Sequence, residues 1–208
     1  MIRYAITSRA LYPGSEHDKQ IALLAEASHW IADHIDFIQL REKDLPAASL
    51  TVIARKLLQT IHLTSSPTRL LINSRPDIAL ATNAHGVHVS SSPDELTPTQ
   101  VRDLHTSANQ PVPIITTSCH TLADIQRAHL HQVDAILFAP VFEKPLPNQQ
   151  TIPGQGLDEL RAACLAAAPI PVYALGGVTL ENAPSCLEAG AAGVAGIRLF
   201  HRSPEHLS

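Results

Sequence analysis

The sequence predicts a single α/β domain folded as a (β/α)8 barrel. Short apolar runs typical of buried strands alternate with longer Ala- and Leu-rich stretches that have a helical pattern, and eight such runs are present. No G-x-G-x-x-G fingerprint follows the first run, as it often does in an open doubly wound sheet. The 208 residues fit one barrel, and no linker or change in composition divides them, so residues 1–208 are assigned to one domain.

The predicted strands and helices follow one another along the whole chain. Strands are assigned to residues 3–7, 36–40, 69–72, 86–89, 112–116, 135–138, 172–175 and 193–197. Amphipathic helices are assigned to residues 19–34, 47–62, 98–107, 122–131, 157–167 and 180–189. Thr97, Thr121 and Thr179 stand where helix N-caps are expected, and Gly190 stands where a helix should stop. Residues 141–156 form the longest gap without a helix, and a loop of that length is typically a lid or a mobile segment.

Composition and charge exclude several classes of partner. The formal net charge is -4, aromatic residues make up 4%, and no run of Lys or Arg is present, which argues against a general nucleic-acid or membrane-surface binder. The first residues lack a signal peptide's apolar core, and no apolar run is long enough to span a bilayer. The 3 cysteines have no metal-like spacing, which is typical of a reduced, cytoplasmic protein. The sequence leaves a homodimer open.

The end of the second predicted strand indicates an anion site. Side chains alternate along a strand, so Gln39, Arg41 and Lys43 are expected on one face, and Leu40 and Glu42 on the other. An amide, a guanidinium and an ammonium group on one face suit a phosphate or a pyrophosphate. The alternative is a solvated strand end with surface ion pairs.

The other predicted strand ends are also polar or rich in glycine, and in a barrel they meet at one rim. These ends carry Asn73, His88, Ser118, His120, Gly176, Gly177, Ile197 and Arg198. Glycines at the last two ends would let backbone N–H groups approach a phosphate closely. The alternative is that these glycines serve only tight turns and helix packing.

Seven short segments, in order and over nearly the whole chain, give the sequence a family resemblance. They are Gln39-Leu40-Arg41-Glu42-Lys43, Leu71-Ile72-Asn73, Gly86-Val87-His88-Val89, Ser118-Cys119-His120, Phe138-Ala139-Pro140-Val141-Phe142, Gly156-Leu157 and Ala174-Leu175-Gly176-Gly177-Val178. In these segments the chain resembles the thiamine phosphate synthase/TenI family.

The resemblance implies a barrel that acts in thiamine biosynthesis on small phosphorylated substrates. In the synthase branch, aminopyrimidine methyl pyrophosphate loses pyrophosphate, and the nitrogen of thiazole phosphate captures the cationic pyrimidine. The resemblance implies that the pyrimidine pyrophosphate binds to Gln39, Arg41, Lys43 and Asn73. It implies that the thiazole phosphate binds to the loop of Gly176 and Gly177 and to Ile197 and Arg198. It also implies Mg²⁺, held by carboxylates, as the cofactor. Ser118, His120 and Lys43 are the candidate catalytic residues.

The chain departs from the synthase pattern at the positions that would hold the metal. Ser74 stands where the pattern has an aspartate, and Asp94, the candidate metal ligand, comes one place late; Asp77 could also substitute. Phe142-Glu143-Lys144-Pro145 replaces a threonine-rich stretch that contains a lysine.

These departures favour the TenI branch, whose best understood member tautomerises thiazole phosphate carboxylate without a metal. Pro140 occupies the position of that branch's catalytic histidine, so His120, His88 and Glu143 become the candidate replacements. Three functions stay open: a synthase with Mg²⁺, a tautomerase without a cofactor, and a non-catalytic member that binds ligands or partners.

Overall fold

The structure, a computed structural model, describes residues 1–90, 94–145 and 151–202. Eight parallel strands close into a barrel in the order β1-β10-β9-β6-β5-β4-β3-β2. The barrel strands are β1 (Ile2–Ile6), β2 (Phe37–Leu40), β3 (Arg69–Asn73), β4 (Gly86–Val89), β5 (Ile114–Cys119), β6 (Ala135–Phe138), β9 (Val172–Leu175) and β10 (Gly193–Gly196). The predicted (β/α)8 class is therefore confirmed. A small antiparallel pair, β7 (Lys144–Pro145) and β8 (Thr151–Ile152), lies in the long segment after β6.

Helices connect most of the strands on the outside of the barrel. They are α1 (Glu16–Ala32), α2 (Ala47–Leu63), α3 (Pro76–Thr82), α4 (Pro98–Ser107), α5 (Leu122–Leu130), α6 (Leu157–Ala167) and α7 (Ala183–Glu188), and a short 3-10 helix, Arg9–Leu11, follows β1. The caps predicted at Thr97 and Thr121 are confirmed, since each side chain accepts a hydrogen bond from the backbone three residues on. Thr179 exchanges hydrogen bonds with Asn182, but the α-helix itself begins only at Ala183. No helix in residues 1–90, 94–145 and 151–202 is long and apolar enough to cross a membrane.

Several predicted elements differ from the structure in their bounds, and one helix was not predicted; α1, for example, begins at Glu16 and not at residue 19. The fifth strand was predicted over residues 112–116 but spans Ile114–Cys119. Pro111 and Pro113 flank Val112 and cannot donate ladder hydrogen bonds, whereas the polar residues that follow do extend the strand. The short helix α3 was not predicted, because its 7 residues give less than two full turns of periodic pattern.

Apolar side chains form two layers, one inside the barrel and one between the strands and the helices. The inner layer comprises Tyr4, Ile6, Leu71, Ala135, Leu137, Tyr173 and Ala195. Ile38 and Leu40 on β2 belong to the larger outer layer, so Gln39 between them points into the barrel. The same alternation turns Asn73, His88 and Ser118 inward, near the carboxyl ends of their strands.

Candidate active site

The polar residues singled out from the sequence lie at one rim of the barrel. All eight strands run parallel, so Lys43 after β2 and Gly177 after β9 both follow carboxyl ends. An arrangement with these two residues at opposite ends of the molecule would have ruled out a shared site. The rim contains three groups of polar residues, located at β2–β3, at β4–β5 and at β9–β10.

At β2–β3, a chain of amides lines the inside of the barrel. Gln39 Nε2 donates to Asn73 Oδ1 at 2.7 Å, and Asn73 Nδ2 donates to Ser74 Oγ at 3.0 Å. Gln39 is 1% exposed, and its Oε1 is a buried acceptor with no partner among the residues that the structure describes. Buried polar atoms are normally hydrogen-bonded, so a ligand with an N–H or O–H donor would complete this group.

At β4–β5, a buried histidine lies between two hydroxyl groups. His88 Nδ1 is 2.9 Å from Thr116 Oγ1, and His88 Nε2 is 3.0 Å from Ser118 Oγ. Thr116 Oγ1 is in turn 3.2 Å from the hydroxyl of Tyr4, so the chain of groups reaches the inner apolar layer. No local pattern marks Thr116 and Tyr4 as partners, because Tyr4 reaches Thr116 across the barrel interior from β1, which pairs with β10 and β2.

Burial keeps His88 neutral. It lowers the pKa of His88 to about 4; Glu95 acts in the opposite direction, and the positive charges of Arg41 and Lys43 lower the pKa further. A neutral imidazole has one donor and one acceptor nitrogen, so one neighbouring hydroxyl donates to the ring and the other accepts from it. The pair of His88 and Ser118 can therefore pass a proton at the rim without the histidine itself becoming permanently charged.

The segment after β2 separates its charged side chains between buried and exposed positions. Glu42 is 5% exposed and pairs with Arg9, whose NH1 lies 3.0 Å from Glu42 Oε2. Arg9 also binds Asp44 through both terminal nitrogens, at 2.7 and 2.6 Å. Arg41 is fixed by its backbone N–H, which donates to Thr7 Oγ1 at 2.9 Å. The alternative of a solvated strand end is thus wrong for Glu42, and sequence reasoning missed Arg9 because nothing local marks it as the partner of residue 42.

The side chains of Arg41 and Lys43 form no ion pair with any residue in the described part of the chain. Both are near enough to His88 to depress its pKa. Lys43 lines a cavity of about 240 Å³ together with Leu40, Glu42, Leu45, Leu50, Asn73, Ser74, Arg75 and Glu95. Arg41 does not line this cavity, but it lines a neighbouring one that also includes Lys43. Two cations without an ion pair therefore lie at this strand end, and they provide the charge that an anionic ligand requires.

Glu95 is a carboxylate of this cavity that sequence reasoning missed. Ser90 N–H donates to Glu95 Oε2 at 2.8 Å. Burial acts to raise the pKa of Glu95, but hydrogen bonds from the Ser90 backbone and from the hydroxyls of Ser74 and Ser90 hold it below its usual range. The only sequence signal was its position seven residues after His88, close to where the family pattern places a carboxylate.

The residues present do not fit the magnesium site that the family resemblance implies. Ser74 supplies no carboxylate, Asp77 is bound by Arg75 at 2.8 and 2.6 Å, and Asp94 is exposed. Within residues 1–90, 94–145 and 151–202, no three His, Cys, Asp or Glu side chains are grouped so that they could hold a metal ion. Of the remaining residues, 91–93 and 146–150 contain none of these four residue types, and 203–208 contain Glu205 and His206.

At β9–β10, the glycine turn packs against the backbone that follows β6. Phe142 N–H donates to the carbonyl of Gly176 at 2.9 Å. Gly177 has a φ of +63°, and a Cβ there would lie 2.6 Å from the carbonyl oxygen of Glu143, so only glycine fits. The N–H groups of Gly177 and Arg198 donate to no acceptor in the described residues, and both follow neighbouring strands. This arrangement suits a phosphate held on backbone amides.

His120 lies at the same rim but apart from the pair of His88 and Ser118. Its Nδ1 donates to the carbonyl of Ala139 at 2.7 Å, and the side-chain amide of Gln155 donates to the same oxygen at 2.8 Å. This bond leaves Nε2 of a neutral His120 as an acceptor on an exposed residue. Cys119 points into the outer apolar layer, where burial raises its pKa to about 12.

Comparison with known proteins identifies the family. Residues 4–200 match the family model described as thiamine monophosphate synthase. The chain belongs to the thiamine monophosphate synthase family. The segments that carried the resemblance lie in or directly after the barrel strands, apart from Gly156-Leu157, which begins α6.

Individual members of the thiamine monophosphate synthase family match over most of their length. A Geobacter sulfurreducens protein is 38% identical over 203 residues, which cover 97% of this chain and 87% of the relative. The name of that protein provisionally assigns it thiamine-phosphate synthase activity. The thiamine-phosphate synthase of Caldanaerobacter subterraneus subsp. tengcongensis is 33% identical over 196 residues, covering 93% of this chain and 83% of the relative. The solved thiamine phosphate pyrophosphorylase from Pyrococcus furiosus superposes with a TM-score of 0.75 at 26% identity, covering 95% of this chain and 85% of the other.

Proposed function

We propose that the chain binds aminopyrimidine methyl pyrophosphate and thiazole phosphate at the barrel rim and joins them to form thiamine phosphate. The observation that carries the proposal is the pair of cations without an ion pair, Arg41 and Lys43, directly after β2, where Lys43 shares a cavity with Asn73, the partner of Gln39. Membership of the thiamine monophosphate synthase family and relatives named for this activity support it.

The β2–β3 group suits the pyrimidine half of the first substrate. An aminopyrimidine carries an exocyclic N–H that could donate to the buried, partnerless Gln39 Oε1. The pyrophosphate would then reach the ends of Arg41 and Lys43 at the mouth of the cavity. One ligand would use both the buried acceptor and the two cations.

The reaction needs charge stabilisation more than proton transfer. The bond between the pyrimidine methylene carbon and the pyrophosphate oxygen breaks, and its electron pair leaves with the pyrophosphate. The thiazole nitrogen then donates its lone pair to the cationic carbon, and a C–N bond forms. Arg41 and Lys43 would stabilise the negative charge that builds up on the leaving group. The N–H groups of Gly177 and Arg198 would hold the thiazole phosphate so that its nitrogen faces the methylene carbon.

One observation favours a second candidate, the tautomerisation of thiazole phosphate carboxylate. That reaction requires a positioned acid/base and a phosphate anchor, and no metal. The pair of His88 and Ser118 provides the first, since the neutral ring lies 3.0 Å from a hydroxyl at the rim. A member that only binds ligands is the outcome if neither reaction occurs.

Two assays on the purified chain separate these functions. In the first, both synthase substrates are supplied, with and without Mg²⁺, and thiamine phosphate is measured. In the second, the thiazole carboxylate tautomer is supplied alone, and its aromatic form is measured. Coupling supports the proposal, aromatisation alone supports the second candidate, and activity in neither assay leaves a binding protein.

A matched pair of variants tests the site itself. Arg41→Ala should weaken the binding of inorganic pyrophosphate by about tenfold or more, because a charged hydrogen-bond donor is lost. Arg55→Ala, which removes an exposed cation from α2, should leave the affinity unchanged. Equal affinities for the two variants in calorimetry would reject the assignment of Arg41.

A further inference from the structure

We propose that this site binds the pyrophosphate group without a divalent cation, and that Ser74 and Glu95 together occupy the place where a metal would otherwise sit. The inference rests on the proposed function, since it concerns how the same substrate group is held. It depends on the hydrogen bonds of Ser74, on the environment of Glu95 and on the balance of charge around the cavity.

Ser74 is committed to hydrogen bonds within the protein. Its φ is +55°, and its N–H donates to the carbonyl of His88 at 2.8 Å, which ties the end of β3 to the end of β4. Its hydroxyl accepts from Asn73 Nδ2 at 3.0 Å, and Ser74 also contributes to the lowered pKa of Glu95. A neutral hydroxyl that already accepts a hydrogen bond from the protein is a poor ligand for Mg²⁺, which prefers carboxylate and phosphate oxygens.

Glu95 is likewise held by protein donors. The backbone N–H of Ser90 donates to the carboxylate at 2.8 Å, and this bond stabilises the negative charge at the cavity wall. The nearby Asp77 cannot supply a second carboxylate, because Arg75 binds both of its oxygens. Glu95 is therefore a fixed negative charge that uses protein hydrogen bonds in place of a cation.

The charges around the cavity also favour binding of pyrophosphate without a metal ion. Glu42 is paired with Arg9, which also binds Glu16 and Asp44, and Asp77 is paired with Arg75. Arg41, Lys43 and Glu95 form no ion pair among the described residues. A pyrophosphate would be attracted by the two cations and repelled by Glu95. If a metal bridged Glu95 and the pyrophosphate, the same carboxylate would instead attract the ligand. The two arrangements thus predict opposite effects of removing the charge of Glu95.

Calorimetry with inorganic pyrophosphate, in EDTA and in excess Mg²⁺, distinguishes them. The wild-type chain should bind at least as tightly in EDTA as in Mg²⁺. Glu95→Gln, which keeps an oxygen to accept from the Ser90 N–H, should bind about threefold to tenfold more tightly in EDTA because a like charge is gone. Glu188→Gln, the same substitution on an exposed residue at the end of α7, should have a smaller effect.

A gain-of-function variant gives a readout that does not depend on activity. Ser74→Asp places a second carboxylate beside Glu95, at a backbone conformation that aspartate tolerates. This variant should bind Mn²⁺ measurably by electron paramagnetic resonance, whereas the wild-type chain should show no bound Mn²⁺ in the presence of pyrophosphate. Circular dichroism confirms that each variant is folded.

The outcomes separate this inference from the proposed function. If pyrophosphate binds the wild-type chain only with Mg²⁺, or if Glu95→Gln weakens binding in Mg²⁺, the inference is overturned and the proposed function survives. If pyrophosphate binds in neither buffer, both are overturned. Tight binding in EDTA, strengthened by Glu95→Gln, supports both.

Discussion

At the scale of single residues, Gln39 shows how a strand end becomes a binding group. Its neighbours Ile38 and Leu40 face the outer layer, so the amide is turned into the barrel and is almost entirely buried. The side-chain Nε2 of Gln39 donates to Asn73 Oδ1, whereas its Oε1 has no partner among the described residues. An amide with one satisfied and one open half favours a ligand that brings a donor.

Gln39→Met should therefore weaken aminopyrimidine methyl pyrophosphate about fivefold, since one neutral hydrogen bond contributes on the order of 1 kcal/mol. A pyrimidine analogue with hydrogen in place of the amino group should bind the wild-type chain and the variant with nearly equal affinity. Calorimetry with the two ligands and the two proteins forms a double-mutant cycle. If the variant weakens both ligands equally, Gln39 acts only through packing.

At the scale of elements, an ion-pair network fixes the segment between β2 and α2. Arg9, in the 3-10 helix after β1, binds Glu16, Glu42 and Asp44, and its own exposure is 8%. Hydrogen bonding to Arg9 lowers the pKa of Asp44 to about 2. Because Glu42 lies between Arg41 and Lys43, an anchor on residue 42 also positions the two cations of the site.

Arg9→Met should lower the free energy of unfolding by about 3–5 kcal/mol, because it leaves the charge of Glu42 buried without its partner. Arg161→Met is the control, since it breaks an exposed ion pair with Asp158 and should cost no more than about 1 kcal/mol. Urea unfolding measures both. Adding Glu42→Gln to Arg9→Met should recover much of the loss, and a double variant no more stable than Arg9→Met would contradict this account.

The elements also show how far sequence reasoning reaches. Periodicity located α4 and α6 to the residue, and the cap at Thr97 marked the start of α4, whereas the longer α1 begins three residues before its predicted start. The same reasoning misplaced β5, whose inward Thr116 and Ser118 are polar because they serve His88 rather than a core. Arg9 and Glu95 could not be predicted as partners of the site, since their contacts depend on how separate loops fold over the rim.

At the scale of the whole molecule, acidification should destabilise the fold through its buried histidines. Burial lowers the pKa of His85, His88 and His105 in the folded chain, and for His88 the value is about 4. Between that value and the ordinary histidine pKa, the unfolded chain binds more protons than the folded one. Stability is therefore complete above the unfolded pKa and is lost as the pH falls towards the folded pKa.

For His88 this loss should be about 2 kcal/mol between neutral pH and about pH 5. Urea unfolding at the two pH values should give a steeper decline for the wild-type chain than for His88→Gln, whose amide can still bond to both hydroxyls. The exposed substitution Gln126→Ala is the control and should decline as the wild-type chain does. Parallel declines for all three proteins would show that His88 is not the source.

The glycine turn after β9 limits how this barrel can diverge. The backbone carbonyl of Glu143 occupies the space of any side chain at position 177, and Pro140 does the same at position 176. The loop after β9 and the segment after β6 are thus in close contact at these two glycines, whichever ligand binds at the rim. A descendant of this chain could exchange its substrate, yet even a methyl group at position 177 would still clash with the carbonyl of Glu143. Loop packing therefore requires glycine at this position independently of the reaction.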